Sequence, residues 1–491
     1  MMWTVFLMME YPVAQPILIQ NGKVIDGTGR PLKSMDVLLE NGLIIKTGKI
    51  KPKPGYTLMD AAGRVVCPGF IDTHAHGSPL TTPLFPNFLA MGVTTVILGQ
   101  DGESPLYRDM REWFSEVDKK GIRINVGCLA GHGTLRFITG VRFRPIPDEA
   151  ESDSMQQVLR DWLDAGCLGL STGLEYVPGR YAQPEELQGL AKIVGEHQGI
   201  IMSHLRNEDD DQLESSINEL LDQGQFCKVH IAHFKNVYGQ SESRADQLLQ
   251  LIQNHSNRNK ISADLYPYTA SYTGIGIVFP DWALPPANYD SIKQTRRTEL
   301  LQFLKIKVNK RNGPFATLFG SGPYRGKTLK EVADSLQKPF EEVLVDDVGP
   351  DGASGAYFVM NEALQQKLMQ WPRTMICSDG SPDMFHPRGY GSFTRIIEEF
   401  VLNRKALSME QAIYKMTGLP AHTLGLKKRG RIKKNYAADI IMFYPERIKT
   451  RASYDQPHVL AEGIDYVLVN GVVVKEGETM LGLFPGKVLR K

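Results

Sequence analysis

Two histidines separated by one residue end a short apolar run, Val65-Val66-Cys67-Pro68-Gly69-Phe70-Ile71-Asp72-Thr73-His74-Ala75-His76. In an extended segment residues i and i+2 face the same way, so His74 and His76 can deliver two imidazoles to one metal ion. Three later runs finish in the same manner: Met202-Ser203-His204, His230-Ile231-Ala232-His233 and Met375-Ile376-Cys377-Ser378-Asp379. Any one of these histidines reads equally well as a packed core residue. Four at the ends of strand-like runs point instead to a metal, and nitrogen ligands with a free position for water suit catalytic zinc, as one ion or two.

Asp379 is placed to take a proton from water activated by such a metal and to return it to a leaving amine. Its competing reading is an N-cap for the next helix. Two ions this close need a shared anionic ligand. Glu175, in Leu170-Ser171-Thr172-Gly173-Leu174-Glu175, is the expected bridge; that stretch has no lysine and so no carbamylated lysine. Asp101, in Gly99-Gln100-Asp101-Gly102, is the alternative, and its Asp-Gly pair also reads as a simple turn.

The elements that must position these groups are apolar strands alternating with helical stretches, the pattern of repeated βα units. Eight strands are expected: Phe70 to His76, Val93 to Leu98, Ile124 to Leu129, Leu168 to Leu174, Ile200 to His204, Lys228 to His233, Ile261 to Tyr266 and Thr374 to Asp379. Eight such units predict an α/β fold, a closed (β/α)8 barrel over residues 67–426 with its site at the C-terminal ends of the strands. The gap between the seventh and eighth strands predicts an inserted subdomain over about residues 282–360.

Outside the barrel the rhythm is short alternating strands with Asn-Gly pairs at Asn21-Gly22, Asn41-Gly42 and Asn470-Gly471, each read as a hairpin signal. Residues 1–66 and 427–491 are therefore expected to pack together as one small β-sandwich.

Composition narrows the partners. At 491 residues, 42% hydrophobic and 23% charged, the chain can bury a large core, and a formal net charge of +1 offers no field to gather nucleic acid or an anionic membrane surface. A small-molecule substrate is the expected partner. Five dispersed cysteines without a C-x-x-C pair fit reduced thiols, and the apolar first ten residues lack the basic start of a secretory signal and are too short to cross a bilayer, so a cytoplasmic location is expected.

Pro68-Gly69-Phe70-Ile71-Asp72-Thr73-His74-Ala75-His76, Gly92-Val93-Thr94-Thr95-Val96, Gly131-His132-Gly133-Thr134-Leu135-Arg136, Ser203-His204-Leu205-Arg206, Asp264-Leu265-Tyr266-Pro267-Tyr268, Ser378-Asp379-Gly380, His386-Pro387-Arg388 and Val469-Asn470-Gly471 run in order over nearly the whole chain. In these segments the chain resembles the amidohydrolase superfamily and, within it, the D-aminoacylase (N-acyl-D-amino-acid deacylase) family. The resemblance implies a zinc-dependent hydrolase that cleaves N-acyl-D-amino acids to a carboxylate and a free D-amino acid; the D preference is implied by the resemblance alone. It also implies that Lys235 and Tyr266 grip the substrate α-carboxylate. Arg388 is a further candidate, since a guanidinium meets a carboxylate bidentately, and His132 and Arg136 are more peripheral ones. In one place the chain departs from the family: many members carry a bridging cysteine in a Gly-Asn-Cys-Gly sequence where this chain has Gly99-Gln100-Asp101-Gly102. Rival activities within the superfamily are cyclic-amide hydrolysis of the dihydroorotase or hydantoinase type and isoaspartyl dipeptide hydrolysis; a non-enzymatic scaffold is disfavoured because every ligand position is filled.

Overall fold

The structure is a computed structural model that describes residues 15–491; the apolar first ten residues lie outside the described residues. Alternation along three strands explains how the two ends of the chain become one layer between two cores. In Ile440–Phe443, Ile440 and Met442 enter the interior of the small β domain while Ile441 and Phe443 face the barrel core. Val66 against Val65 and Cys67, and Leu468 against Val467 and Val469, divide in the same way, as a period of two requires.

These strands belong to a nine-stranded sheet. Its N-terminal members Ile17–Val24, Lys33–Glu40 and Leu43–Gly48 join its C-terminal members Ile440–Phe443, Ile464–Val469 and Val472–Glu476 through Val65–Pro68, which pairs with both sets. Asn41-Gly42 and Asn470-Gly471 form tight turns with both residues at positive φ. Asn21-Gly22 does not: it lies inside Ile17–Val24 as a bulge, where Gly22 packs so closely on Val66 that a Cβ would sit 2.6 Å from a valine methyl.

The barrel strands are Phe70–Asp72, Val93–Leu98, Asn125–Cys128 continued by Ala130–Gly131, Leu170–Gly173, Ile200–His204, Lys228–Ile231, Ile261–Leu265 and Thr374–Ile376. They pair in parallel in that order, and the ring closes where Asp379 N donates to His74 O (2.8 Å) and His76 N to Gly380 O (2.8 Å). The third strand differs from expectation. It breaks at Leu129, its first half pairing with the second strand and its second half with the fourth, and the C-terminal Val488–Leu489 fills the vacated edge. The last residues of the chain therefore belong to the barrel wall rather than to the β domain.

The inserted subdomain begins at Ala270–Gly274, earlier than Trp282. That strand pairs with Ser354–Phe358, which also pairs with Thr317–Phe319, and helix Arg297–Lys310 packs on them around Ile275, Leu300, Leu304, Phe319 and Tyr357. Among the described residues no helix is long and apolar enough to cross a membrane.

A buried polar junction ties the β domain to the barrel. The Asp439 carboxylate accepts from Asn470 N (2.7 Å) and from Asn125 Nδ2 of the third barrel strand (3.2 Å), and pairs with Arg429. Removing one member of such a cluster strands the others away from water. Asp439→Ala is expected to cost about 3–5 kcal/mol, read as a lower midpoint in thermal unfolding, whereas Leu58→Ser on the exposed face of the sheet should leave the midpoint within the scatter of surface substitutions.

Candidate metal centre

The first barrel strand stops at Asp72, and what carries His74 and His76 inward is the short stretch beyond it, held by that aspartate. Asp72 Oδ1 accepts from His74 N (3.2 Å) and from Ser378 N (3.0 Å), so one carboxylate clamps the ends of the first and eighth strands together. The second strand turns sharply at Gly99-Gln100-Asp101-Gly102. Buried Gln100 anchors that turn by donating to Thr73 O (2.7 Å), and Gly102 N donates to Ser171 Oγ (3.1 Å). Asp101 takes a left-handed φ of 54°, which points its carboxylate to the barrel axis; His233 (φ 37°) and Asp379 (φ 49°) share this strained conformation. His233 is held there by buried Asp264, which accepts from His233 N (2.6 Å) through Oδ1 and from Thr73 Oγ1 (2.5 Å) through Oδ2, with His230 Nε2 also 3.0 Å away.

The result is two groups of donors that share Asp101. His74 Nε2 and His76 Nε2 lie 3.3 and 3.4 Å from the Asp101 oxygens, and 3.6 and 3.2 Å from Asp379 Oδ1. On the other side, His233 Nε2 lies 3.3 Å and His204 Nδ1 3.8 Å from Asp101 Oδ1, and the two imidazole nitrogens face each other at 2.9 Å. His74 is fully buried, and among the described residues neither ring nitrogen has a hydrogen-bond partner. Buried polar groups are ordinarily hydrogen-bonded, so a histidine with both nitrogens orphaned beside mutually facing imidazoles fits one or two divalent cations.

Electrostatics agrees. Burial would raise the Asp101 and Asp379 carboxyls, but His74 and His233 around Asp101, and Arg388 and His233 around Asp379, hold both well below the usual carboxylate range. Burial pulls down on His76 and His233, yet the neighbouring carboxylates outweigh it and push them up to about 10 and about 9. His74, where burial dominates, is lowered. A field strong enough to keep protons on two buried imidazoles answers equally to a cation, which competes with those protons for the same nitrogens.

Glu175 does not occupy the shared position. It touches the outer face of the cluster, with Oε2 3.0 Å from His204 Nε2, because its strand ends at Gly173 and the chain has already turned outward. The turn after the second strand puts Asp101 there instead. Glu208, four residues beyond His204, carries a role the sequence did not suggest: its carboxylate lies 3.7 Å from His204 Nε2 and 3.3 Å from His233 Nδ1, and pairs with Lys235 Nζ at 2.7 Å. The available signal for Glu208 was an acid four residues beyond a strand-end histidine; Asp264, an acid inside an apolar strand, was another.

Lys235 and Arg388 both line the cavity over the cluster, a space of about 1140 Å³. Arg388 Nη1 pairs with Asp379 Oδ2 at 2.7 Å, and its guanidinium covers the Tyr266 ring at 4.6 Å. Tyr266 thus lies beneath Arg388 rather than on the wall, with a buried hydroxyl that has no partner among the described residues. His386 fixes Arg388 by accepting from its backbone N (3.0 Å). His132 and Arg136 are not cavity residues. Both are committed to Glu186, at 2.7 and 2.6 Å, since that acid in the first turn of helix Pro184–Glu196 offers their buried nitrogens a carboxylate.

A family model described as "Amidohydrolase family" matches residues 334–475. N-acyl-D-glutamate deacylase of Alcaligenes xylosoxydans xylosoxydans is 31% identical over 97% of this chain and 96% of its own. The crystal structure of N-acyl-D-glutamate deacylase from Bordetella bronchiseptica, complexed with zinc and a phosphonate mimic of the tetrahedral intermediate, is 30% identical and superposes with a TM-score of 0.84 over 97% of this chain and all of its own. A D-aminoacylase structure concerned with the role of its binuclear metal centre is 28% identical, with the same TM-score and coverage.

The geometry separates the two candidate bridges by metal content. Asp101→Ala is expected to remove most bound metal in elemental analysis of dialysed protein, because both donor groups lose a member, while Glu175→Gln retains it. Equal retention by both variants, or greater loss from Glu175→Gln, would return the shared position to Glu175.

Proposed function

The chain belongs to the N-acyl-D-amino-acid deacylase family of the amidohydrolases, and from this we propose that it is a zinc-dependent hydrolase that cleaves the amide of N-acyl-D-amino acids to a carboxylic acid and a free D-amino acid. The observation that carries the reading is the pair of donor groups sharing Asp101 at the mouth of the barrel, beside an ion-paired Asp379 and a cavity with room for a small acylated amino acid. His74, His76 and Asp379 would hold zinc on one side and His204 and His233 on the other, with Asp101 common to both. Bound zinc supplies a Lewis acid for the amide carbonyl and brings the acidity of water near neutrality.

Asp379 has the two contacts a proton carrier needs. Oδ1 faces His74 and His76, and Oδ2 is held by Arg388. It takes a proton from the attacking water as the C–O bond forms, then delivers that proton to the amine nitrogen as the C–N bond breaks, so water is consumed and both products leave neutral in proton count. Arg388 orients the carboxylate and, being on the cavity wall, also meets the substrate's own α-carboxylate, with Lys235 as the second cation and the orphaned Tyr266 hydroxyl behind them. Glu208 offsets the charge of Lys235 and fixes it against His233. The substrate is a small molecule. The preference for the D-enantiomer follows from family membership. Five free, buried cysteines fit a cytoplasmic setting.

Incubating the zinc-loaded protein with N-acetyl and N-formyl D- and L-amino acids and measuring amine release tests the proposal. Release from D-substrates is expected; opening of hydantoins or dihydroorotate, or cleavage of isoaspartyl dipeptides, without it would transfer the chain to one of the rival activities. Asp379→Asn is expected to lower kcat by roughly 10²- to 10⁴-fold while zinc content stays above half that of the parent. Metal loss in parallel with activity would make Asp379 chiefly a ligand.

A further inference from the structure

The fourth barrel strand ends against His204. Gly173 is in register with that residue, and Leu174 N donates to His204 O (3.1 Å), so the turn beyond the strand is docked on the fifth-strand histidine. The next two side chains then hold its ring. Tyr176 lies 4.4 Å from it between ring centroids, with the His233 ring at 4.6 Å. In the plane of contacts made by the ring nitrogens, Glu175 Oε2 lies 3.0 Å from Nε2, while Nδ1 faces His233 and Asp101. Glu175 pairs with no lysine or arginine among the described residues; its ion-pair contact is His204 itself. Glu208, the other acid near Nε2, is farther away at 3.7 Å and is already matched by Lys235. The opposite donor group is built differently, since His74 Nδ1 has no partner among the described residues.

A neutral imidazole offers one nitrogen to a cation and keeps a proton on the other, and the hydrogen bond made by the second decides which is which. A carboxylate in that place also fixes the ring and strengthens the free nitrogen as a donor. We propose that Glu175 is a positioning residue of the metal centre: it accepts the Nε2 proton of His204 in a hydrogen bond and thereby commits Nδ1 to the cation held with His233 and Asp101. Glu175 acts through His204 and not as a ligand. This explains why an acid stands at the outer face of the cluster, neither common to the two donor groups nor neutralised by a cationic side chain. The inference needs only that the centre binds metal, and it is independent of the substrate.

The test uses the full-length zinc-loaded protein and a chromophoric chelator, with no substrate. Glu175→Gln keeps the size of the side chain but not its charge, and it is expected to hold zinc roughly 10- to 100-fold more weakly than the parent, while still keeping its zinc through dialysis. The metal-free variant should unfold at the same temperature as the metal-free parent, which a merely structural role would not allow. With cobalt in place of zinc, the visible absorption bands should shift, because one ligand is weakened while the ligand set stays the same. A smaller loss of affinity, an unshifted cobalt spectrum, or a loss matched by a lower unfolding temperature of the metal-free form would overturn the proposal. So would complete loss of an ion on dialysis, which would make Glu175 a ligand. A crystal structure of the zinc-loaded parent decides the question even where Glu175→Gln does not fold: Nδ1 of His204 on zinc, with Nε2 in hydrogen-bond contact with Glu175, is expected, and ligation through Nε2 or by Glu175 itself would overturn it. Each of these failures leaves the deacylase reading to its own assay of amine release; a parent protein that binds no zinc would overturn both.

Discussion

Imidazoles and carboxylates from five barrel strands converge within a few ångströms, and their shared demand for positive charge is the constraint around which the site is organised. Carboxylates this deeply buried are costly unless something answers them. His74, His76, His204, His233 and Arg388 answer in part. The remainder suits a divalent cation, and Asp101, within reach of all four histidines, is the group that makes the two halves one centre.

That convergence depends on a polar frame beneath it. Asp72 clamps the closure of the barrel, Asp264 holds the backbone of His233, and Gln100 holds the turn that aims Asp101. Three donors sit at left-handed φ, a conformation costing of order 1–3 kcal/mol each for residues other than glycine. Strain of that size persists because the frame fixes each turn from two sides. The barrel and β domain share in it: the strand that ends at Pro68 pairs with the C-terminal half of the β domain, and two residues later the chain enters the first barrel strand.

Chemistry and selectivity are supplied by different parts of the fold. The barrel strand ends bring the donors and Asp379, whereas the wall facing them comes largely from the subdomain between the seventh and eighth strands, with Tyr272, Phe279, Arg311 and Arg325. A wall on its own small core can change its lining without disturbing the metal ligands, as expected where function is grafted on a common scaffold.

The barrel, its eight strands and four histidines were legible in the amino-acid order, because strand periodicity and residue type at strand ends are local properties. Asn41-Gly42 and Asn470-Gly471 were legible as turns for the same reason, since two adjacent residues decide a tight hairpin. Asn21-Gly22, with the same two residues, became a bulge because a neighbouring strand, Val65–Pro68, presses on it from more than forty positions away in the chain. The position of Asp101 between the two donor groups with Glu175 at their outer face, the pairing of Lys235 with Glu208 and the diversion of His132 and Arg136 to Glu186 were likewise decided only in three dimensions. Sequence order states which side chains exist and which way a strand presents them. Which carboxylate meets which cation is settled by the closure of the barrel and the packing of the inserted subdomain, because electrostatic pairing depends on distances between segments that no local pattern encodes.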